Sequence, residues 1–414
     1  MNHRAPNQLR PRLLSCLAAL LAAAAACTAC AAAAEKRYDP GASDTEIRIG
    51  AVVPFSGWAK EYGAVARAEA AYFQMVNERG GVNGRKINFI SIDNGSDNHA
   101  ALALAQRLVE KDQVLALFGT WGTEANLAIR GYANAHRIPQ LFVESSSAQF
   151  DDPAHFPWTM GFFATFRTEG LGYAKYLLQK RPDARIAVLY DKSAGATELY
   201  DGIRDGLGDR AATMLVAEAI YRNTDGGDGA VDTQVEALQR SGADVFMNLA
   251  WGRNATAAIS KAYDIGWHPL QFIPNASLSI AAFLEPAGLA KAAGIISNAG
   301  SKGWLRAATR ADPAVRDFVD WMARYNPTAS LRDQNNVAGY ERAQALVAVL
   351  AHCGDDLTRA NLMAQAAHLD LDIGMLRPGI RVQTSPTDYQ PIKQLYLIRF
   401  DGTDWQAEGV VGGV

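Results

Sequence analysis

Short apolar runs alternate with amphipathic stretches along the first part of the chain, and this alternation predicts strands followed by helices. The predicted strands are residues 47–53, 87–93, 115–118 and 139–143, and the predicted helices are residues 64–79, 100–111 and 124–130. The strands are almost continuously apolar, whereas the helices carry apolar residues at the spacing of one helix face. Such strands, each followed by a helix, indicate a parallel sheet with helices on both faces.

A segment rich in proline and aromatic residues, 150–167, interrupts this rhythm, and the alternation then restarts. The second run has predicted strands at 185–190, 214–220, 244–249 and 271–273 and predicted helices at 197–207, 231–241 and 256–264. Two runs of the same order predict an α/β protein with two similar, Rossmann-like lobes, and segment 150–167 is typical of a crossing between them.

The last part of the chain follows a different pattern. A return strand is predicted at 293–298, then helices at 313–325, 336–352 and 358–368, and a final strand at 395–400. Because no strands separate these three helices, we expect them to pack on a sheet that is already formed.

The N-terminus has the pattern of an export signal, which we assign to residues 1–34. Arg4, Arg10 and Arg12 precede an uncharged, alanine-rich run that ends before Glu35. A retained membrane anchor is the alternative, because an uncharged run of this length can span a bilayer. Cleavage near Ala34 gives the soluble protein that we favour, and cleavage before Cys30, within a loose lipoprotein-like sequence, gives a lipid-anchored one.

Composition narrows the class of protein. The chain has 414 residues, of which 49% are hydrophobic and 20% charged, so it is long enough for two domains with their own cores. A formal net charge of −3 makes nucleic acid an improbable partner. Outside the export signal the single cysteine is Cys353, in an apolar helical run, where a buried free thiol is expected.

Signatures of catalysis are absent from the sequence. We find no Gly-x-Ser-x-Gly elbow, no His-Glu-x-x-His and no phosphate-binding loop, and the seven histidines lack the spacing of metal ligands. Gly206-x-Gly208 matches part of a dinucleotide motif but follows a predicted helix, so it is interpreted as a helix-ending turn. The sequence therefore predicts a protein without catalytic residues, metal or cofactor.

Residues 115–124 carry the strongest binding signal. Four apolar residues lead into Gly119-Thr120-Trp121-Gly122 and then into a helix. This is the pattern of a buried strand, a tight turn and a helix N-terminus, whose free N–H groups and dipole attract an anion. Gly122 allows close approach of the backbone, Thr123 adds a hydroxyl group and Trp121 an aromatic wall.

Ligands of open α/β sheets bind beyond the carboxyl ends of the strands. Reading those ends along both runs gives the candidate residues Tyr62, Trp121, Gly122, Thr123, Glu144, Ser145, Ser146, Trp251, Asn275 and Ser277. Hydroxyl groups and helix N-termini suit a carboxylate, and the aromatic side chains suit an apolar or planar body. Two lobes with facing strand ends form a cleft that can close by hinge motion.

Several short motifs support a family resemblance. They are Ile49-Gly50-x5-Ser56-Gly57, Gly80-Gly81-Val82-Asn83-Gly84, Phe118-Gly119, Ile138-Pro139 and Asp191-Lys192. With the order of elements, they make the chain from Ile47 onwards resemble the solute-binding proteins of ABC importers, of the type I fold and the branched-chain amino-acid group. Segments 156–161, 286–289 and 376–380 look most like the branch that takes up aromatic acids.

The resemblance implies a division of the chain and roles for single residues. Residues 45–165 and 297–372 would form lobe 1, residues 166–296 and 373–414 would form lobe 2, and a multi-strand hinge would join them. Thr123 would hold a substrate carboxylate with help from Glu144 and Ser146, and Tyr62 and Trp251 would be the aromatic residues of the two lobes.

Two positions depart from the amino-acid binders. Gly195 stands where an aromatic residue is expected, and Ala276 stands where an acidic residue grips the ammonium group. An ammonium group without a partner is costly to bury, so the sequence favours a carboxylate with an apolar or aromatic body over a zwitterion, although Glu144 could supply a substitute charge.

The expected function is that of a monomeric periplasmic protein that delivers a small ligand to an ABC permease. Uptake of branched-chain or other amino acids is the first alternative. The second is a sensor subunit that feeds a signalling partner. The third is an enzyme on an α/β scaffold, against which the lack of a nucleophile–base pair argues.

Overall fold

The computed structural model describes Met1, residues 36–222 and residues 230–411. Apart from Met1, the predicted export signal 1–34 lies outside the described residues, as does Cys30. Within the described ranges, no helix combines the length and the apolar character that crossing a bilayer requires.

Four parallel strands form the smaller of the two main sheets. They are β1 (Glu46–Val53), β2 (Lys86–Asp93), β3 (Ala116–Phe118) and β4 (Gln140–Leu141), and they lie side by side in the order β2-β1-β3-β4.

Seven strands form the larger sheet. They are β5 (Ile186–Tyr190), β6 (Leu215–Ile220), β7 (Val245–Asn248), β8 (Leu270–Phe272), β9 (Ile296–Ala299), β10 (Leu395–Phe400) and β11 (Trp405–Val411). Their order is β11-β10-β9-β8-β7-β5-β6, and β10 and β11 run antiparallel to their neighbours. The remaining strands are two residues long: Arg37–Tyr38, Asp356–Leu357, Asp370–Leu371 and Val382–Gln383.

The longer helices mostly follow the predicted positions. They are α1 (Gly63–Glu78), α2 (Ala101–Glu110), α3 (Thr123–Ala135), α4 (Phe166–Lys180), α5 (Ala194–Leu207), α6 (Asp232–Gln239), α7 (Gly252–Asp264), α8 (Pro313–Tyr325), α9 (Asn335–Cys353) and α10 (Arg359–Ala366). Short helical turns cover Lys60–Tyr62, Ala148–Phe150, Gly208–Arg210, Ala211–Met214, Asn275–Ser277, Ile280–Leu284, Glu285–Ala287, Leu289–Ala292 and Ala307–Ala311.

Apolar residues cover both faces of the smaller sheet, which explains why its strands are apolar almost throughout. Ile49 of β1 packs in one cluster with Leu346 of α9, and Val52 packs on the other face with Leu108 of α2 and Ile129 of α3. Successive side chains of β1 therefore pack alternately into two hydrophobic cores, one on each face of the sheet, as expected for a parallel sheet between helices.

The three late helices pack on existing structure, which confirms the sequence prediction. Leu346 of α9 and Leu362 of α10 join the core of the smaller sheet, and Phe318 of α8 packs against Met75 of α1. Cys353, at the end of α9, is a buried free thiol, as predicted.

Some element boundaries differ from the prediction for local reasons. Strand β4 ends at Leu141, because Phe142 has a left-handed backbone (φ 50°) that extended pairing does not tolerate. Helix α7 begins at Gly252, with Trp251 as its N-cap, instead of at residue 256. Strand β11 has no counterpart in the prediction.

The lobes also divide the chain differently from the sequence-based division. Residues 297–299 lie in β9 and pair within the larger sheet, although they were assigned to lobe 1. Ile373, Val382 and Ile392 pack in the core of the smaller sheet, although 373 onwards was assigned to lobe 2. Side-chain packing, which strand and helix patterns do not record, decides these positions.

The strand order locates the site. In the smaller sheet the chain passes from β1 to β2 on one side and then crosses back to β3 on the other side of β1. The larger sheet repeats this arrangement with β5, β6 and β7. The direction of the connections therefore reverses between β1 and β3 and between β5 and β7. Ligands of open α/β sheets bind in the crevice at such switch points. The loops after β1, β3, β5 and β7 carry Tyr62, Trp121, Asp191 and Trp251, respectively.

Candidate ligand-binding site

A cavity of about 570 Å³ lies between the strand ends of the two sheets. This volume is within the range of roughly 300–1,000 Å³ that is usual for small-molecule sites. Its walls contain nine predicted residues: Tyr62, Trp121, Gly122, Thr123, Glu144, Ser145, Ser146, Trp251 and Asn275.

Ser277 is the predicted residue that the structure keeps out of the cavity wall. Its side chain is fully buried, donates a hydrogen bond to the Ala250 carbonyl (3.0 Å) and accepts one from the Gly252 amide (3.2 Å). It therefore supports the start of helix α7. A strand-end position in the sequence cannot distinguish this supporting role from contact with a ligand.

The N-terminus of helix α3 opens on the cavity. Gly122, with a φ of 94°, is the N-cap, and no side chain of the described residues caps the first turn. The Thr123 hydroxyl lies 2.8 Å from the Ser145 hydroxyl, and both side chains are largely buried. Unpaired N–H groups at a helix start, beside two hydroxyl groups, are donors from which a carboxylate can accept hydrogen bonds.

Aromatic rings cover the space above this helix start. Trp121 stacks on Tyr62 with ring centroids 5.5 Å apart, and Trp58 meets Trp121 edge-on at 5.6 Å. Tyr62 also contacts Phe283 of the second lobe at 5.5 Å, so this group of rings bridges the two lobes. Tyr62 is only 7% exposed, because its ring is covered in part by Phe283 of the other lobe.

On the opposite wall, Phe166 compensates for the missing aromatic residue at position 195. A Cβ atom at Gly195 would lie 2.8 Å from a ring carbon of Phe166, so this ring fills the space that a side chain at 195 would use. Phe166 packs against Trp251 with centroids 5.4 Å apart. The aromatic wall of the second lobe thus comes from α4 and the start of α7.

Glu144 has a cationic partner that the sequence did not reveal. Arg342 of α9 is fully buried and donates to both Glu144 and Glu69, with its Nε 2.7 Å from Glu69 Oε1. Burial, only partly offset by Arg342, raises the pKa of Glu69 to about 8. Burial also raises the pKa of Glu144, and the Glu144 carboxylate is paired with Arg342.

Two further carboxyl groups reach the wall from the second lobe. Asp191 accepts hydrogen bonds from the amide and the hydroxyl of Ser193, and Glu169 accepts from the Tyr173 hydroxyl (2.7 Å) and the Asn275 amide (2.8 Å). Burial raises the pKa of Glu169 to about 7. Asp191 follows a predicted strand directly, so its position, though not its orientation, was available from the sequence.

The lobes touch across the mouth of the cavity. Arg253 of α7 pairs with Glu61 at 2.8 Å, and Glu124 of α3 accepts a hydrogen bond from the Ala194 amide at the start of α5 (3.0 Å). Each contact joins one lobe to the other, so the structure represents a closed arrangement. In the part of the chain that is described, no three His, Cys, Asp or Glu side chains are grouped to hold a metal ion.

The fold and the cleft agree with comparisons to known proteins. A family model described as periplasmic binding protein matches residues 46–404. The chain belongs to this family. Periplasmic binding proteins are extracytoplasmic solute-binding proteins that work with ABC transporters and are not enzymes, which confirms the predicted class and the type I fold.

Individual relatives of this periplasmic binding protein are distant in sequence. It is 22% identical over 362 residues to the Leu/Ile/Val-binding protein homolog 8 of Brucella abortus, covering 83% of this chain and 85% of that protein. A solute-binding protein from R. palustris in complex with benzoate superposes with a TM-score of 0.73 and 19% identity over 89% and 97% of the two chains. A branched-chain amino-acid transporter protein from Thermus thermophilus with bound valine gives a TM-score of 0.75 and 14% identity over 89% and 96%. These likenesses establish the fold, and the residues of the cavity must indicate the ligand.

Proposed function

We propose that this protein captures a small carboxylate with an apolar or aromatic body between its lobes and delivers it to an ABC permease. The start of helix α3 carries the proposal, because its uncapped first turn meets the Thr123 and Ser145 hydroxyl groups inside an aromatic cavity. The ligand carboxylate would accept from these groups and from Ser146, and its body would pack on Tyr62, Trp121 and Trp251.

The charges around the helix start are compatible with an anion. Arg342 pairs with both Glu144 and Glu69, so neither carboxyl group faces the helix start as an unpaired charge. The attraction for a carboxylate then comes from the helix N-terminus and the hydroxyl groups, and it acts against the charge of Glu124, which lies in the first turn of α3, lines the cavity and accepts from the Ala194 amide. A neighbour of the same fold holds benzoate, a ligand of this chemistry.

A zwitterionic amino acid is the second candidate. Asp191 and Glu169 line the cavity, so a carboxyl group is available for an ammonium group even though Ala276 is not acidic. The neighbour from Thermus thermophilus holds valine. Both carboxyl groups already accept hydrogen bonds from protein donors, which makes them weaker partners for a ligand than free groups would be.

The test is calorimetric titration with two sets of ligands, aromatic or aliphatic acids and branched-chain or aromatic amino acids. We expect the acids to bind and Thr123→Val to weaken them by about tenfold, the effect of losing one hydrogen bond to a charged group. Thr213→Val, at an exposed site outside the cavity, is the matched control and should leave affinity unchanged. Binding of amino acids alone would replace the first candidate by the second.

Delivery requires a separate experiment. In proteoliposomes that contain the cognate permease and ATPase, the liganded protein should stimulate ATP hydrolysis, whereas a sensor subunit would leave it at the basal rate. Light scattering of the mature protein checks the proposed monomeric state. Mass spectrometry of the exported protein separates cleavage near Ala34 from lipid attachment at Cys30.

A further inference from the structure

Glu341 is a buried carboxyl group that nothing in the site described above uses. It lies in α9, beside Arg342, is 3% exposed and contributes to the cavity wall. One of its oxygens accepts a hydrogen bond from the Ser301 hydroxyl (3.0 Å), and the other, Oε1, has no hydrogen-bond partner among the described residues. Leaving a buried polar atom unpaired is costly, so such an atom calls for an explanation.

No cation compensates this carboxyl group. Lys302 and Arg377 also line the cavity, but Lys302 pairs with Asp312 (2.7 Å) and Arg377 stacks over Tyr396 at 5.4 Å. No arginine, lysine or histidine of the described residues pairs with Glu341. Burial accordingly raises the pKa of Glu341 to about 8. Glu341 therefore differs from Glu144, which has Arg342 as a cationic partner, and from exposed carboxylates, which water solvates.

The surroundings of Glu341 include the segment that links strand β9 of the larger sheet to helix α8, which we take as part of the connection between the lobes. Ser301 follows strand β9 and forms a bridge with Leu376, and Trp304 lies on the same segment with its indole N–H bound to the Leu331 carbonyl (2.8 Å). We name Ser301, Trp304, Glu341 and Leu376 the hinge-side subsite. All four line the same cavity as Thr123.

We propose that Glu341 is a second polar anchor, which accepts a hydrogen bond from a hydroxyl or amino group that the ligand carries away from its carboxylate. The inference rests on the proposed function, because it assumes a carboxylate at Thr123. It narrows the ligand to acids with a distal hydrogen-bond donor, since a wholly apolar body would leave Oε1 unpaired in the closed protein. Trp304 and Leu376 would enclose the part of the ligand next to that donor.

The opposite assignment, with the carboxylate at the hinge, is unfavourable. The helix start at Thr123 offers uncapped N–H groups beside two hydroxyl groups, whereas a carboxylate next to Glu341 would meet a second acidic group. Arg377, whose Nε has no hydrogen-bond partner among the described residues, also lines the cavity, and the probes below test this alternative position for the carboxylate. The protein donors at Thr123 and the acceptor at Glu341 thus lie on different parts of one cavity. In the proposed complex, a ligand with a carboxylate and a distal donor would therefore bind in one orientation.

The experiment compares matched pairs of probes. Benzoate, phenylacetate and 3-phenylpropionate are titrated beside their para-hydroxy and para-amino derivatives, so that the series samples three distances between carboxylate and donor. In the unchanged protein at least one derivative should bind about tenfold or more tightly than its parent acid, the usual effect of pairing a buried polar group. Glu341→Met should abolish this gain without weakening the parent acid.

Two further variants guard the interpretation. Glu341→Gln keeps an acceptor of the same shape, so part of the gain should persist, whereas loss of folding would remove binding of all probes together. Glu236→Met, a surface carboxylate paired with Lys261 outside the cavity, should keep the full gain.

The outcomes separate the two proposals. Acids that bind through Thr123 but show no advantage of a distal donor, or an advantage that Glu341→Met leaves intact, would overturn the role of Glu341 alone. If no acid of either kind binds, the proposed function fails and the role of Glu341 fails with it.

Discussion

Arg342 shows how one residue organises the floor of the cavity. Its guanidinium group is 1% exposed, pairs with Glu69 and Glu144, and lies over the rings of Phe118 and Phe163 at 5.6 and 5.7 Å. Glu69 is fully buried and Glu144 lines the cavity, so Arg342 ties α9 and α1 to the loop after β4. A buried cation with two acidic partners is strongly coupled to its surroundings.

We expect Arg342→Met to lower the free energy of unfolding by about 3–5 kcal/mol, because it leaves the buried Glu69 and the partly buried Glu144 without a counter-charge. Denaturant unfolding followed by circular dichroism measures the change. Arg324→Met removes an arginine whose side chain is 73% exposed and lies 3.9 Å from Glu78, and it should change stability by less than about 0.5 kcal/mol. Equal effects of the two substitutions would contradict the importance of the buried cluster.

At the scale of elements, the crossing of α1 and α9 determines where Glu341 and Arg342 lie. Gly339 allows the two helices to approach closely, since a Cβ atom there would lie 2.4 Å from the Val65 carbonyl oxygen and 2.9 Å from the Ala68 Cβ. Gly339 precedes the two functional candidates by two and three positions, so a shift at the crossing would move both of them.

Gly339→Ala should therefore destabilise the protein by about 1–3 kcal/mol through overpacking, despite the better helix propensity of alanine. Gly131→Ala in α3 is the matched control, because no atom lies within 4 Å of the added methyl group. There we expect a gain of about 0.5–1 kcal/mol. Thermal unfolding of both variants gives the comparison, and a stabilised Gly339→Ala protein would show that the crossing is looser than the structure indicates.

At the scale of the whole molecule, closure depends on few polar contacts. Glu61–Arg253 and Glu124 with the Ala194 amide join the lobes beside the bridging contact of Tyr62 with Phe283. A ligand that binds only the closed arrangement has an apparent affinity proportional to the closed fraction. Weakening the Glu61–Arg253 pair, neither residue of which lines the cavity, should therefore reduce affinity without changing the cavity wall.

Arg253→Gln should raise the dissociation constant for the bound acid by about 1.4- to fivefold, chiefly through faster dissociation, because a partly exposed ion pair contributes about 0.2–1 kcal/mol. Stopped-flow measurement of dissociation tests this expectation. Asp264→Asn breaks the pair with Lys291 (2.6 Å) inside the second lobe and serves as the control. If Arg253→Gln dissociates at the unaltered rate, the ion pair does not contribute to closure.

Much of the architecture was predictable because it depends on local patterns. Apolar runs located strands β1, β2 and β5 to within a residue or two, and helical spacing located α1 and α8. Strand ends in a parallel α/β sheet converge on one edge, so reading them off brought Trp121, Thr123 and Trp251 to the cavity. Ser277 was misplaced because the same reasoning does not say which way a side chain turns.

The sequence by itself determined the fold class, the family and the loops that border the cleft, since periodicity and chain order record burial and the direction of strands. Only the tertiary structure decided how charges are paired. Glu69 and Arg342 are 273 positions apart, and Ser301 and Glu341 are 40 apart on different elements. Whether a carboxyl group in the cavity has a partner depends on contacts between residues that are far apart in the sequence. Glu144 has such a partner in Arg342, whereas Oε1 of Glu341 has none among the described residues, and this difference is the basis of the proposed ligand chemistry.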